Sequence, residues 1–245
     1  MSTAALTWRW FRQERRMFWR NPSAAFFNFL LPLLFLVLLA TAFGSDRADM
    51  EVLVPGIAGM AIMTTTFTAL TFSITFLREQ GILKRIYGTP MPTISYLGGL
   101  IGSAVLNAFA QVALVVLIGH FAYDLAWPRA WPELIAFTAV GVAAFASLGV
   151  AFSHAIPNYD AAPAYVNAVF LPLIFISGTF YSTDDLPSAV EGIASVLPLK
   201  HAIDGLSDAI VVGDGLGSEL GHLLALAAWA AAGITLAVRY FRWEQ

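Results

Sequence analysis

Residues 97–123 read LGGLIGSAVLNAFAQVALVVLIGHFAY, twenty-seven positions without an Asp, Glu, Lys or Arg. As a helix this stretch would span about 40 Å, more than the roughly 30 Å hydrocarbon core of a bilayer. Its apolar residues run on without the alternation of a barrel strand, and only a helix satisfies its own backbone in lipid. Five further stretches, near 26–43, 52–76, 132–153, 161–180 and 219–240, have the same character. The sequence therefore predicts an all-α membrane protein of six transmembrane helices, one transmembrane domain over residues 1–245. Composition agrees: 58% of the chain is hydrophobic and 12% charged, against about 25% charged in soluble domains. That balance excludes an ordinary soluble enzyme and a disordered chain. The net charge of −3 offers no basic patch for nucleic acid. Without cysteine there is no disulfide framework, thiolate zinc site or thiol nucleophile.

Orientation follows from the basic residues in the connections. With the N-terminus inside, ten lie in the cytoplasm (Arg9, Arg12, Arg15, Arg16, Arg20, Arg78, Lys84, Arg85, Arg239 and Arg242) and three outside (Arg47, Arg129 and Lys200). Glu14, Glu79, Asp160 and Glu244 are then the inner acids and the other twelve lie outside. Both termini are expected in the cytoplasm of a multi-pass membrane protein. Ala40-Thr41-Ala42 looks like a signal-peptide cleavage site. The long, aromatic-rich segment before the first stretch is unlike a short basic leader, so an uncleaved helix is expected.

Residues 6–20, LTWRWFRQERRMFWR, predict a helix within an interfacial segment 1–25. At 100° per residue, Arg9, Arg12, Arg16 and Arg20 share an arc of about 80°. Leu6, Trp10, Phe11, Met17 and Phe18 fill much of the other side. This is the pattern of a helix lying in the membrane interface, its arginines toward the anionic headgroups of membrane lipids. Asn21-Pro22 breaks it. Glu14 projects into the apolar arc, where a protein partner would suit it better than lipid.

The second cytoplasmic connection, 77–92, runs Leu-Arg-Glu-Gln-Gly-Ile-Leu-Lys-Arg-Ile-Tyr-Gly-Thr-Pro-Met-Pro. Gly81 permits a sharp reorientation. Ile82, Leu83, Lys84, Arg85, Ile86 and Tyr87 then suit a short amphipathic helix along the membrane face, stopped by Gly88-Thr89-Pro90-Met91-Pro92. Glu79 is the one acid in a basic loop, available to a cation on a partner or to the first N–H groups of the short helix. The segment can transmit a push from a cytoplasmic partner, or serve only as a solvated connection.

Several crossings carry polar side chains. Thr64, Thr68, Thr71 and Thr75 share one helical face. They could line a polar path, line a seam between two copies of the chain, or simply bond backbone and neighbouring helices. Asn28, Asn107, Gln111 and Asn167 invite the same readings. Gly98 and Gly102 suit close packing, and Pro32 and Pro172 should kink their helices. The acidic or basic groups stay out of the middle of every crossing, which speaks against a carboxylate proton relay. The connection 181–218 is too apolar for a loose loop. Residues 189–196 and 201–212 predict two short helices split by Pro198, an outer re-entrant hairpin or an amphipathic cover. His120, His154, His201 and His222 form no H-E-x-x-H motif, and no G-x-S-x-G occurs, so neither a metal nor a catalytic group is expected.

The string Arg78-Glu79, Gly81, Leu83, Arg85 and Thr89-Pro90-Met91-Pro92 resembles the coupling segment of ABC transporter permeases of the type 2 exporter class, the daunorubicin-resistance-type drug exporters in particular. The Arg20-Asn21-Pro22 entry to the first crossing is similar too. So are Ser177-Gly-Thr-Phe-Tyr181, Leu186-Pro187 and Leu197–Leu206, though Ser207 stands where members often carry Arg. The resemblance spans nearly the whole chain and implies a permease subunit of an ATP-driven exporter, with roles in multidrug transport and antibiotic resistance. It implies a separate nucleotide-binding ATPase subunit carrying ATP and Mg, since this chain has no P-loop motif, and a second permease copy. It places Glu79, Gly81, Ile82, Leu83 and Arg85 in the ATPase groove with Glu14 beside them, and the outer hairpin over the pathway mouth. The cargo class it implies is an amphiphilic drug, lipid or glycan. A membrane-embedded lipid-modifying enzyme and an ATP-independent facilitator or scramblase are the competing readings.

Overall fold

The computed structural model describes residues 2–44, 46–87, 93–181 and 187–240; the Gly88–Pro92 stop, the loop with Leu186, and the tail with Arg242 and Glu244 lie outside the described residues. All regular elements among the described residues are helices. They are α1 (Thr3–Arg20), α2 (Pro22–Phe43), α3 (Arg47–Glu79), α4 (Ile82–Tyr87), α5 (Thr93–Tyr123), α6 (Trp131–Ser153), α7 (Ala162–Ile176), α8 (Ser188–Ala194), α9 (Pro198–Ser207, continued by a wide π turn, Asp208–Val212) and α10 (Leu220–Tyr240).

Five of these, α2, α3, α5, α6 and α10, are long and apolar enough to cross a membrane. The sequence predicts a sixth crossing at 161–180. Its helix α7 has 15 residues, about 22 Å, because Ser177 to Tyr181 turn away with Gly178 at φ 74°. The second crossing is longer than its apolar stretch suggests, 33 residues, and is interrupted by a π turn at Thr64–Thr68. There Thr64, Thr65 and Thr66 donate their hydroxyls to the carbonyls of Met60, Ala61 and Ile62 at 2.8, 2.7 and 2.6 Å. Hydroxyls that occupy i−4 carbonyls compete with the backbone ladder, which fits a locally widened turn.

Lipid offers no hydrophobic drive for helix to meet helix, so close packing must come from small residues. A β-carbon at Gly149 of α6 would lie 2.7 Å from the Phe67 carbonyl oxygen of α3. One at Gly233 of α10 would strike Ser147 of α6, whose hydroxyl reaches the Ala230 carbonyl at 3.2 Å. Around these approaches Met60, Met63, Phe137, Phe145 and Ile57 form a fully buried core.

Helix α9 belongs to that core. Leu199, Ala202 and Leu206 are fully buried, and Gly59 and Gly205 make room where α9 meets α3 and Phe137 of α6. The Trp229 indole of α10 donates to the Val196 carbonyl at 3.0 Å. Trp229 lies about 13 Å along its helix, so the α8–α9 junction is not at the helix end.

The sequence lays α1 in the membrane interface. In the structure it packs lengthwise along α5, in the same direction: Ser95 donates to the Thr3 carbonyl at 3.3 Å, Thr7 faces Gly98, Phe11 faces Gly102, and Arg15 donates to Asn107 Oδ1. The cause is the glycine face of α5. A β-carbon at Gly99 would lie 2.7 Å from Trp10 Cβ, so Gly98, Gly99 and Gly102 form a groove that admits the N-terminal helix.

Candidate functional site at the basic end of the bundle

The end of the bundle that carries α1, Arg78 and α4 is built by short-range necessity. Helix α3 closes at Glu79, and the Gly81 N–H bonds the Arg78 carbonyl at 3.0 Å. Gly81 takes φ 65°, a left-handed conformation that side chains resist. The chain turns back and α4 begins, with Arg85 N–H on the Gly81 carbonyl at 3.1 Å. A β-carbon at Gly81 would meet nothing within 4 Å, so the glycine is required by backbone angle and not by space.

Among the described side chains of α4, Leu83 is the one fully buried. Leu83 is 1% exposed and packs in a cluster with Leu70, Ile74, Tyr96, Leu100, Ala104 and Val150, with Ile82 and Trp10 at the margin. Those partners belong to α3, α5, α6 and α1. Arg85, on the other face, is exposed. A six-residue helix would not persist in water alone; its geometry depends on this plug.

The two charged residues before the turn fasten a second connection, the loop between α6 and α7. Arg78 donates from Nη1 to the Ser153 carbonyl at 3.0 Å and from Nη2 to the Ile156 carbonyl. Glu79 accepts the Tyr159 N–H, and Tyr159 packs edge-on against Phe76 with centroids 5.4 Å apart. The sequence offers Glu79 to a partner's cation or to the N-terminus of α4; the structure gives its carboxylate to Tyr159 of the same chain. Backbone donors leave no mark in the side-chain pattern, so this contact was not legible.

Glu14 lies half-buried beside Tyr96, and burial raises its carboxyl above the usual carboxylate range. It faces the bundle across α1. Arg15 lies at the border of the two arcs. Besides Asn107 it lies over the rings of Phe18 and Trp19, at 5.1 and 5.7 Å.

The hydroxyl stripe divides. Thr64 is turned onto its own backbone, whereas Thr71 is buried and donates to the Gly149 carbonyl at 3.1 Å. Thr68 and Thr75 have buried hydroxyls with no partner among the described residues. Asn28 accepts the Gln111 side-chain N–H at 2.9 Å, and Asn167 is exposed on α7. The structure thus brings Glu79, Gly81, Ile82 and Leu83 together, with Glu14 across Tyr96.

At the opposite end, His201 and His222 approach at 3.0 Å between their Nδ1 atoms, and His222 lies 3.5 Å from Asp204. No group of three or more potential ligands suited to a metal occurs among the described residues.

Five apolar helices of spanning length, held by glycine contacts, define a multi-pass membrane protein. The chain belongs to the ABC-2 type transporter family, whose model matches residues 3–211. It is similar to Nodulation protein J of Sinorhizobium fredii, 28% identical over 247 residues covering 94% of this chain and 92% of that one. Nodulation protein J of Rhizobium leguminosarum bv. viciae is 28% identical, covering 83% of this chain and 82% of its own length. The Inner membrane transport permease YadH of Escherichia coli K12 is 25% identical over 183 residues, 70% of this chain and 69% of that protein. The chain is thus a transport component by family, not itself an enzyme.

Proposed function

We propose that this chain is the permease subunit of an ATP-driven exporter that moves an amphiphilic drug-like, lipid or glycan substrate out across the cytoplasmic membrane. A separate ABC ATPase subunit binds ATP and Mg, and two permease copies complete the transporter. The observation that carries the reading is the Leu83 plug beneath an exposed Arg85. A cytoplasmic partner that grips α4 pushes on one side chain set among α1, α3, α5 and α6, and the Arg78–Glu79 clamp passes the same displacement to the α6–α7 loop. Gly81 holds the angle at which α4 meets α3.

In this reading the basic end faces the cytoplasm, as the ten-to-three distribution of Lys and Arg supports, and α7 with its flanking turns makes a sixth crossing. The α8–α9 pair is a re-entrant hairpin over the outer mouth, supported by Trp229 meeting Val196 within the span of α10. Thr64, Thr68, Thr71, Thr75, Asn28 and Asn167 are the candidate pathway residues. The test is reconstitution with the cognate ATPase subunit in inside-out vesicles. ATP-dependent uptake of an amphiphile that needs both subunits is expected. ATP hydrolysis by the purified permease alone, or ATP-independent movement at the same rate, would overturn the reading. Reporter fusions after residue 90 should read cytoplasmic and near residue 190 external.

A further inference from the structure

Between α3, α6, α7 and α10 lies a cavity of about 810 Å³, within the range of small-molecule sites, which are mostly apolar with few polar groups. Its wall includes Phe67, Phe145, Phe152, Val169, Leu173 and Leu236. Leu197 and Pro198, at the α8–α9 junction, and Trp229, whose indole holds that junction, line one end. Arg78 and His154 lie at the other. From Met63 to Arg78 along α3 the wall extends roughly 20 Å, so the cavity covers the basic half of the bundle and ends where α9 begins.

The polarity of this space is one-sided. No acidic side chain lines it among the described residues. Arg78 uses two nitrogens on neutral carbonyls, and its Nε is buried without a partner among the described residues. The neighbouring Glu79 is directed to the Tyr159 N–H. Burial holds the His154 imidazole below its ordinary range, so at neutral pH Arg78 is the cation of the wall. The adjacent Glu79 carboxylate attracts this guanidinium but is not among the lining residues; at the mouth of an apolar space the guanidinium favours an anion whose remainder is hydrocarbon.

We propose that this cavity binds an amphiphile with an anionic head, the head at Arg78 and the tail between α6, α7 and α10. The proposal deepens the exporter reading and rests on it for sidedness alone: an occupant would enter from the cytoplasmic leaflet, with the tip of the outer hairpin lining the far end. A resident anionic lipid and a transported anionic amphiphile share this chemistry.

The test uses the full chain in phosphatidylcholine nanodiscs without any ATPase. Diazirine-tailed lysophosphatidate and lysophosphatidylcholine of equal chain length are photolysed in parallel, and labelled peptides are identified by mass spectrometry. Labelling within 145–152 and 169–173, about ten-fold stronger for lysophosphatidate, is expected for a charge-assisted contact. Arg78→Gln should bring the two probes to parity. Because Arg78 also fastens a loop, Leu173→Trp is the independent variant: it fills the chamber, keeps Arg78, and should abolish labelling by both probes. A third arm with diazirine-tailed phosphatidylglycerol separates the sources: labelling equal to lysophosphatidate marks a resident lipid, and exclusion of the two-tailed probe marks a single-tailed cargo. Equal labelling by the anionic and zwitterionic probes, or labelling that survives Leu173→Trp, overturns the proposal. Loss of ATP-driven uptake in the complete transporter with this binding intact would instead tell against the exporter reading.

Discussion

Leu83→Ala is the sharpest perturbation of the coupling end. Leu83 is 1% exposed and is the fully buried side chain of a helix of six residues. Truncating a buried leucine costs about 2–5 kcal/mol, more where neighbours cannot collapse. Here they sit on long helices that glycine contacts hold in place, so the larger end of that range applies. No other described side chain of α4 is fully buried, hence the loss falls on α4 and its turn and not on the bundle. At tenfold per 1.4 kcal/mol, amide exchange across 82–87 should accelerate by several hundred-fold to several thousand-fold, up to the ceiling set by the segment's own stability. Arg85→Ala, on the exposed face, should change exchange little, since such surface changes stay within about 0.5 kcal/mol. Hydrogen exchange with mass spectrometry in nanodiscs reads both, and export with the ATPase subunit should fall in Leu83→Ala at matched membrane levels. Exchange across 82–87 within about three-fold of the parent would refute the claim that this plug holds α4.

Gly81→Val should impair subunit co-purification and export more than Gly81→Ala, because a β-branched residue resists the φ of 65° that the turn takes; equal behaviour of the two would show that the angle does not matter. Glu79→Ala should leave insertion and thermal stability within about 1 kcal/mol of the parent yet speed amide exchange at Tyr159, which loses its acceptor. Gly149→Ala should lower the thermal midpoint by several degrees, since its β-carbon meets the Phe67 carbonyl at 2.7 Å; an unchanged midpoint would mean that α3 and α6 can part at no cost. Burial, and then His222, hold His201 below the ordinary imidazole range. A histidine of depressed folded pKa contributes stability that is present above about pH 6.5 and lost as pH falls below it. Thermal stability should therefore be flat from pH 7 to 8.5 and decline toward pH 5.5, and His201→Gln should flatten the decline.

How much of this could be read in advance depended on what carried the signal. The spanning helices were legible because lipid forces continuous apolar runs, and the Gly81 turn because a glycine between a charged helix end and a new amphipathic stretch has few other uses. The short α7 was not legible: its apolar stretch continues to Phe180, and only the Ser177-Gly178 turn ends the helix. Periodicity put four threonines on one face, but the π turn between Thr64 and Thr68 adds a residue to the winding. Thr71 therefore reaches α6 while Thr64 folds onto its own backbone. Gly98 and Gly102 were recognised as a packing face, yet residue type does not say what fills it, and α1 does. The cavity has no sequence signature, since its wall gathers apolar residues from α3, α6, α7, α9 and α10 with Arg78 and His154 from helix ends.

The clamp at Arg78 has a consequence for how the chain can vary. Its two bonds run from a single side chain to the main-chain oxygens of Ser153 and Ile156. Main-chain oxygens are supplied by every residue type, so positions 153–156 can drift through substitutions without undoing the fastening. Position 78 has no such latitude, because a lysine brings one nitrogen where the guanidinium brings a rigid fork. Divergence should thus accumulate unevenly across the two inner connections, with the donor held fixed and the loop it grips left to change.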